Sequence, residues 1–242
     1  MGSNVVLLFG AGASKICGGP LTNEILFQAF EPAVRREIER EYYIDLLDRF
    51  LVENFHVPPE NRDRTEADYP ALPLLLSLLD TAIDRNQPMG RAWPVELLRQ
   101  VRRALQYVVF ALLEYKLRRI EHNYYADLFA ALDPMRQDPP AVISLNYDIL
   151  VDNALVEHTG QLPDYGCDIA TEAYRKQQHT GKLLKIHGSL NWSYCPGCNR
   201  LDLGVGQSGR AYKMLEGLYQ VNPLEERYSC HGFPCTRCST FV

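Results

Sequence analysis

The sequence predicts an α/β fold with a parallel sheet, a large helical insertion and a Cys-rich module. Three observations support this prediction. Short apolar runs typical of buried strands end in glycine or polar residues, helical periodicity fills the stretch between the first two runs, and two closely spaced pairs of cysteines lie near the end of the chain. A chain of 242 residues with 46% hydrophobic residues is long enough to bury a sizeable core.

The charge and hydropathy of the chain exclude several kinds of partner. With 25 Lys and Arg against 30 Asp and Glu, the formal net charge is −5, so we expect no direct nucleic-acid binding, which needs a basic surface. No apolar run reaches the roughly 18 residues of a membrane span, and the first run is too short for a signal peptide. We therefore expect a cytoplasmic protein without a membrane partner, whose cysteines are thiols or metal ligands rather than disulfides.

The first predicted strand covers residues 5–9 and ends in a glycine-rich turn that contains Gly10 and Gly12. After this tight turn, a helix is expected to begin near Thr22 or Asn23, because either side chain can cap free backbone donors.

Residues 32–132 are expected to form helices separated by prolines. The strongest helix begins at Trp93 and Pro94. Its apolar residues recur at helical spacing: Leu97, Leu98, Val101, Leu105, Val108, Val109 and Leu112. The mixed-charge stretch 62–66 is expected to be a solvated loop.

Two further predicted strands end in polar residues. Residues 141–145 lead into the turn of Asn146 and Asp148, and residues 182–186 lead to His187. The helix after the second strand is predicted to bury Leu150, Val151, Ala154 and Leu155. Ligands of open parallel sheets bind beyond the carboxyl ends of the strands, so the three strand ends are expected to form one site. A glycine turn before a helix lets backbone N–H groups approach a phosphate, which favours an anionic ligand. Each group also has a plain structural interpretation: a glycine turn, a turn residue at Asn146, an N-cap at Asp148 and a hydrogen-bonded His187.

Two CxxC motifs indicate a metal site. They supply the cysteines Cys195, Cys198, Cys235 and Cys238. Two such turns present four thiolates tetrahedrally to zinc, and a site of four thiolates has no open position, so a structural zinc is expected. Cys230 and His231 lie close enough to compete as ligands, which leaves the set of four open. Cys17 and Cys167 are expected to be structural.

The order of the motifs resembles that of a known family. FGAGAS and GGPLT, then SLNYD, then KIHGSLNW, then CPGC occur in the order found in sirtuin-like NAD-binding domains. The sequence is most similar to the bacterial sirtuin-like group that hydrolyses NAD in antiphage defence. This resemblance implies a Rossmann-like core from residues 1–30 and 134–191, a helical insertion at 31–133 and a zinc-ribbon-like module at 192–242. The family continues beyond its zinc module with further strands, so the core is expected to be incomplete at the C-terminus and the chain to be part of a longer protein.

The resemblance also implies roles for single residues. The pyrophosphate side of NAD would be cradled by Gly10, Ala11, Gly12 and Ser14. The loop beside the nicotinamide ribose would be shaped by Pro20 and Thr22. Asn146 would orient the ribose and a water, Asp148 would face the nicotinamide, and His187 would be the general base.

The implied activity is that of an NAD⁺ glycohydrolase, which cleaves the nicotinamide glycosidic bond to give nicotinamide and ADP-ribose and depletes NAD in antiphage defence. Protein-deacylating relatives have a Gln where this chain has Leu145, and their first loop carries a Phe and an Arg that GGPLT lacks, so water is the expected nucleophile. The alternatives are an NAD-dependent protein deacylase and a non-catalytic module that senses NAD or ADP-ribose or mediates assembly. By analogy, a homo-oligomer is expected, with regulation by oligomerisation or by a partner such as an ATPase or an Argonaute-like protein.

Overall fold

The structure is a computed structural model that describes residues 5–36, 41–59, 62–132, 140–195, 197–203 and 238. The chain divides into two compact units. The first, here called the sheet unit, consists of Met1–Gly19 and Lys116–Val242, and the second, the helical unit, of Pro20–Tyr115.

Strand β1 is followed by a long run of helices, and the other strands of the described residues lie in the second half of the chain. In chain order the elements are β1 (Val6–Phe9), α1 (Ala11–Ile16), α2 (Glu24–Ala29), α3 (Pro32–Arg35), α4 (Glu41–Phe55), a 3-10 turn (Glu66–Asp68), α5 (Leu72–Asp84), α6 (Val95–Leu117), α7 (Tyr124–Leu132), β2 (Ala141–Ser144), α8 (Leu150–Thr159), α9 (Glu172–Arg175), β3 (Leu183–Lys185), β4 (Trp192–Cys195) and β5 (Arg200–Leu203).

A parallel sheet with the strand order β1-β2-β3 forms the framework of the sheet unit. Phe9 pairs with Ser144, and Ser144 pairs with Lys185, so the carboxyl ends of the strands lie in one row. The prediction of a mixed α/β fold with three parallel strands is confirmed. The row matters for function because the loops after all three strands begin at the same edge.

The two faces of this sheet differ in burial. The inner face carries Val142 and Leu183, which are buried in one core with residues from α7 and α8. The buried residues of α8 include all four that were predicted: Leu150, Val151, Ala154 and Leu155. On the outer face, large apolar side chains such as Val6 and Leu8 are exposed.

The glycine-rich segment after β1 differs from the prediction, because a helix begins at its first turn. Gly10 is extended and occupies the N-cap of α1, and the next residue, Ala11, is already helical. Glycines suggested a longer turn, but Ala11, Ala13 and Lys15 are good helix formers. Gly18, with φ +93°, stops the helix in the left-handed conformation that favours glycine.

The helix expected near Thr22 or Asn23 is α2, with Asn23 at its N-cap, but the Asn23 side chain makes no capping hydrogen bond, so the predicted reason for this start is wrong. The N–H of Leu21, just before this helix, donates to the carboxylate of Glu24 over 2.8 Å. A glutamate in the first turn therefore satisfies a donor at the start of α2.

The helical unit confirms the strongest predicted helix as α6, which buries Leu98, Val101, Leu105, Val108 and Leu112. The expectation of a solvated loop at 62–66 is wrong for Arg64, whose side chain is only 9% exposed. Its guanidinium donates to both carboxylate oxygens of Asp48, over 2.6 and 3.2 Å, and a paired fork can be buried where a single charge cannot. Of the helices in the described ranges, none is both long enough and apolar enough to cross a membrane.

An antiparallel hairpin of β4 and β5 follows the sheet, with Cys195 opposite Arg200. Asn199 in its turn has φ +53°, a left-handed conformation that asparagine tolerates well. The N–H of Ala170 donates to the Leu201 carbonyl over 2.7 Å, and the N–H of Leu203 donates to Thr171 Oγ1 over 2.7 Å. The hairpin is thus fixed to the segment that precedes α9.

Candidate functional site

Polar side chains from three elements meet at the carboxyl edge of the parallel sheet. Ser14 on α1 is 3% exposed, and its hydroxyl contacts Asn146, Asp148 and the Tyr125 hydroxyl. We call these four residues the polar cluster. Three of them were predicted as site residues, and the structure brings these three into direct hydrogen-bonding contact.

The hydrogen bonds of Ser14 can be assigned by counting donors and acceptors. Its Oγ–H donates to Asp148 Oδ2 over 2.7 Å, and its oxygen accepts from Asn146 Nδ2 over 2.8 Å. A serine hydroxyl has one donor and two acceptor positions. Because its proton is given to Asp148, the Tyr125 O–H, 3.1 Å away, must donate to Ser14. Ser14 is therefore fully hydrogen-bonded within the cluster.

Asn146 connects the ends of β1 and β2. Its Nδ2 donates to the Gly10 carbonyl over 2.9 Å as well as to Ser14, and its own backbone N–H donates to Ser144 Oγ over 3.2 Å. The residue is buried at 8% exposure. These bonds define the plane of the amide before any ligand binds.

Asp148 binds both the start of α8 and the polar cluster. Oδ1 accepts the backbone N–H of Leu150 over 3.1 Å, in the first turn of α8, while Oδ2 accepts from Ser14. The N-cap of α8 is Ile149, so the simple N-cap interpretation of Asp148 is wrong by one position, although one carboxylate oxygen of Asp148 still accepts the first helical N–H while the other binds the cluster.

Tyr125 is the cluster residue that the sequence analysis missed. It lies on the buried face of α7, where its ring contacts Phe9 edge-on at 4.9 Å, and burial raises the pKa of its phenol to about 12. The hydroxyl is therefore a neutral donor at physiological pH. Helical spacing with Phe129 marks the position as core, but no local signal in the sequence shows that its hydroxyl reaches a residue 111 positions earlier.

His187 lies on the loop after β3 and is exposed, with its ring centroid 6.3 Å from that of Tyr147. The N–H of Leu190 on the same loop donates to the Tyr147 carbonyl over 2.8 Å. The loop after β3 is therefore held beside the turn of Asn146 and Asp148, as predicted for strand ends that share an edge.

The backbone at the start of α1 is open at two glycines. A Cβ added at Gly10 or Gly12 would meet nothing within 4 Å, so a ligand can approach the main chain there. Ala11 lies between them at the start of α1. Pro20 and Thr22 belong to the helical unit, and their roles beside a ribose stay predictions.

A second group of residues could hold a metal ion. The Sγ atoms of Cys195, Cys198 and Cys238 all lie within 4.8 Å of one another. Cys195 Sγ and Cys238 Sγ are 3.6 Å apart, far beyond a disulfide bond and close to the separation of about 3.8 Å that Zn–S bonds of 2.3 Å give in a tetrahedron. The three thiols therefore fit zinc. Cys235 and the alternative ligands Cys230 and His231 lie outside the described residues.

The remaining predicted cysteines lie outside this thiol group. Cys17 is buried in the core of the sheet unit, and burial raises the pKa of its thiol. Cys167 is exposed, but partial desolvation of its thiol and the nearby carboxylates of Asp164 and Asp168 raise its pKa.

The fold and these two groups define a mixed α/β protein with a buried polar cluster at the carboxyl edge of a parallel sheet and a thiol group at a β-hairpin. No family model matches the sequence, and no curated protein matches it significantly.

Proposed function

We propose that this chain is an NAD⁺ glycohydrolase that releases nicotinamide and ADP-ribose. The observation that carries the proposal is the polar cluster itself: Ser14, which is distant in sequence from Asn146 and Asp148, shares hydrogen bonds with both at the sheet edge where ligands of parallel sheets bind. The resemblance to sirtuin-like domains supports the same assignment, with a Rossmann-like core and a zinc-ribbon-like module.

The start of α1 would bind the pyrophosphate of NAD. The open space at Gly10 and Gly12 lets phosphate oxygens approach the backbone around Ala11. Ser14, whose hydroxyl is fully used inside the cluster, contributes by holding the other residues in place rather than by touching the phosphate.

The turn after β2 and the loop after β3 would carry the chemistry. The bond between the nicotinamide nitrogen and C1′ of the ribose breaks, and its electron pair leaves with nicotinamide. The oxygen of a water molecule then bonds to C1′, and one proton of the water passes to a ring nitrogen of His187. The overall reaction consumes NAD⁺ and water and yields nicotinamide, ADP-ribose and a proton.

Asn146 would orient the ribose and the attacking water. Both of its bonds to Gly10 and Ser14 use Nδ2, which leaves the amide oxygen for a ribose hydroxyl or the water. An acceptor fixed in advance lowers the entropic cost of aligning the nucleophile. Asp148, the neighbour that holds Ser14, would face the nicotinamide.

Zinc would be held by Cys195, Cys198 and Cys238 with a fourth ligand from outside the described residues. Bound there, it would supply structural cross-linking and no reaction step, because four protein ligands leave no open coordination position. In keeping with the resemblance, the activity would deplete cytoplasmic NAD in antiphage defence and would be controlled by homo-oligomerisation or by a partner such as an ATPase or an Argonaute-like protein.

The test is time-resolved release of nicotinamide from NAD by the longest form of the protein. Wild type is compared with Asn146→Ala and His187→Ala, each checked for folding by circular dichroism. His56→Asn serves as control, because His56 is exposed, lies in the helical unit and has a left-handed φ of +57° that asparagine accepts. We expect release to fall at least about 100-fold in both site variants, in His187→Ala as for loss of a general base and in Asn146→Ala as for loss of an oriented nucleophile.

Other outcomes would assign a different function. Equal release by wild type and His187→Ala would refute the catalytic role of His187. NAD binding without release would favour a sensing module, and consumption of NAD only with an acyl-peptide would favour a deacylase.

A further inference from the structure

Lys185, the last residue of β3, is a lysine whose side chain is completely buried, at 0% exposure. Its Nζ donates to Asp152 Oδ2 over 2.9 Å and to the backbone carbonyl of Asp148. Asp152, on α8, is itself buried, and its Oδ1 accepts the Tyr165 hydroxyl over 2.6 Å. Lysine is among the residues least often fully buried, so its presence on the inner face of a core strand calls for a physical reason.

Stability alone does not supply that reason. Moving two charges out of water costs several kcal/mol per ion, and well-packed apolar residues of similar volume are often as stable as a buried ion pair. An apolar residue at position 185, together with one at position 152, would avoid that cost. What such a residue could not provide is a donor to the Asp148 carbonyl.

That carbonyl belongs to the turn that carries the polar cluster. The side chain of Asp148 accepts a hydrogen bond from Ser14, and its backbone carbonyl accepts one from Lys185. The buried ammonium and the polar cluster therefore both fix the position of Asp148. Asp152 in turn fixes the ammonium. Tyr165 keeps its proton as the donor to Asp152, because burial and the neighbouring carboxylate raise the pKa of its phenol.

We propose that Lys185 is a positioning residue for the candidate site: its buried ammonium, held by Asp152, fixes the backbone at Asp148 and thereby places Asn146 and Asp148 for the substrate. Lys185 acts through these residues and does not touch the substrate. The activity part of this inference rests on the proposed NAD hydrolysis, whereas the effect on the turn does not.

The experiment uses the full chain and the double variant Lys185→Met with Asp152→Asn. The single variant Lys185→Met would leave the Asp152 carboxylate buried without its cation, which can prevent folding. The double variant removes both charges, keeps an acceptor for Tyr165 and preserves side-chain volume. Lys182→Met is the control, since Lys182 is exposed just before β3.

Two measurements test the role of Lys185 and the proposed NAD hydrolysis independently. The first is hydrogen exchange at the amides of Asn146 and Leu150, which donate to Ser144 Oγ and Asp148 Oδ1. We expect exchange at least about tenfold faster in the double variant, while the Val142 amide in the sheet keeps its protection. The second is kinetic: kcat for nicotinamide release should fall about 10- to 100-fold, as for a misplacement near 1 Å, with KM changing less than threefold.

Each outcome has a defined meaning. If wild type shows no hydrolysis, the proposed function fails and the exchange at Asn146 and Leu150 still tests the role of Lys185. Wild-type protection of both amides in the double variant overturns the inference. Faster exchange with unchanged kcat in an active protein overturns it as well, because the turn would then be free to move without consequence for the substrate.

Discussion

At the scale of single residues, Ser14 is the centre of the polar cluster, because one hydroxyl satisfies Asn146, Asp148 and Tyr125 together. In a buried site, hydrogen bonds that share an atom strengthen one another, and the loss of that atom leaves several groups without a partner. The contributions of Ser14 and Tyr125 should therefore not be additive.

This non-additivity can be measured with a double-mutant cycle of Ser14→Ala and Tyr125→Phe. We expect Ser14→Ala to lower the free energy of unfolding by about 1–3 kcal/mol, the cost of leaving buried polar groups unsatisfied. In the double variant the Tyr125 hydroxyl is gone, so the loss should be smaller than the sum by about 0.5–3 kcal/mol, as measured by urea unfolding. Additive losses would show that the two hydroxyls do not interact.

The raised pKa of Tyr125 predicts a pH dependence of stability. Its folded pKa of about 12 lies above the ordinary value of 10, so the folded state binds more protons than the unfolded state between these values. Tyr125 therefore contributes stability that is fully present below pH 10 and is lost as the pH rises toward 12.

The comparison of wild type with Tyr125→Phe isolates this contribution from that of other tyrosines. The stability difference between the two proteins, measured by urea unfolding, should be constant up to about pH 9.5 and should shrink from pH 10 to 12. A difference that stays constant over this range would mean that the Tyr125 phenol titrates alike in the folded and unfolded protein.

At the scale of elements, two glycines in and near α1 have different steric surroundings. Gly12 lies in this helix, where a Cβ meets nothing within 4 Å, whereas a Cβ at Gly19 would come within 3.0 Å of the Ser14 carbonyl. A side chain at Gly19 would therefore crowd the backbone of α1, while one at Gly12 would meet no such contact.

The variant Gly12→Ala should therefore weaken NAD binding without lowering the stability of the fold. Alanine is favoured over glycine inside a helix, so the free energy of unfolding should stay the same or rise by up to about 1 kcal/mol. If phosphate oxygens approach this backbone, the Kd for NAD should rise about tenfold, equal to 1.4 kcal/mol, in a calorimetric titration. An unchanged Kd would remove the start of α1 from the NAD site.

The strands and α8 were predictable because a buried parallel strand is a short run of apolar residues, and an amphipathic helix has apolar residues at helical spacing. Both patterns can be recognised in neighbouring residues of the sequence. α1 was missed because glycines indicate a turn locally, and the helical preference of Ala11, Ala13 and Lys15 prevails once Gly10 is fixed at the end of β1. Arg64 was misjudged because its burial depends on a bidentate partner 16 positions away.

The polar cluster was predictable only in part, because some of its contacts, like that of Arg64, join residues that are distant in sequence. Asn146 and Asp148 follow a strand, so topology places them at the edge of the sheet. Tyr125 enters by tertiary contact between α7 and α1, and Lys185 looks like an ordinary strand residue until its partner Asp152 is seen on α8. Contacts between elements are not encoded in the periodicity of either element alone.

At the scale of the whole molecule, the thiol group joins distant parts of the chain. Cys195 and Cys238 are 43 positions apart, and a metal ion that binds both closes a long loop. Loop closure removes conformational entropy from the unfolded chain, and metal binding adds its own free energy only in the folded state. The hairpin of β4 and β5 should therefore depend on the metal more than the parallel sheet does.

Zinc content and stability test this dependence together. The purified protein should contain one zinc per chain by elemental analysis, and Cys198→Ser should lose it because serine lacks the thiolate that zinc prefers. Cys167→Ser is the matched control, since Cys167 is an exposed cysteine outside the thiol group, and it should keep the metal. Chelation should increase hydrogen exchange at Leu201 and Leu203 in β5 while Val142 in β2 stays protected. Retention of zinc by Cys198→Ser, or equal exchange with and without chelator, would show that the three thiols do not hold the hairpin through a metal.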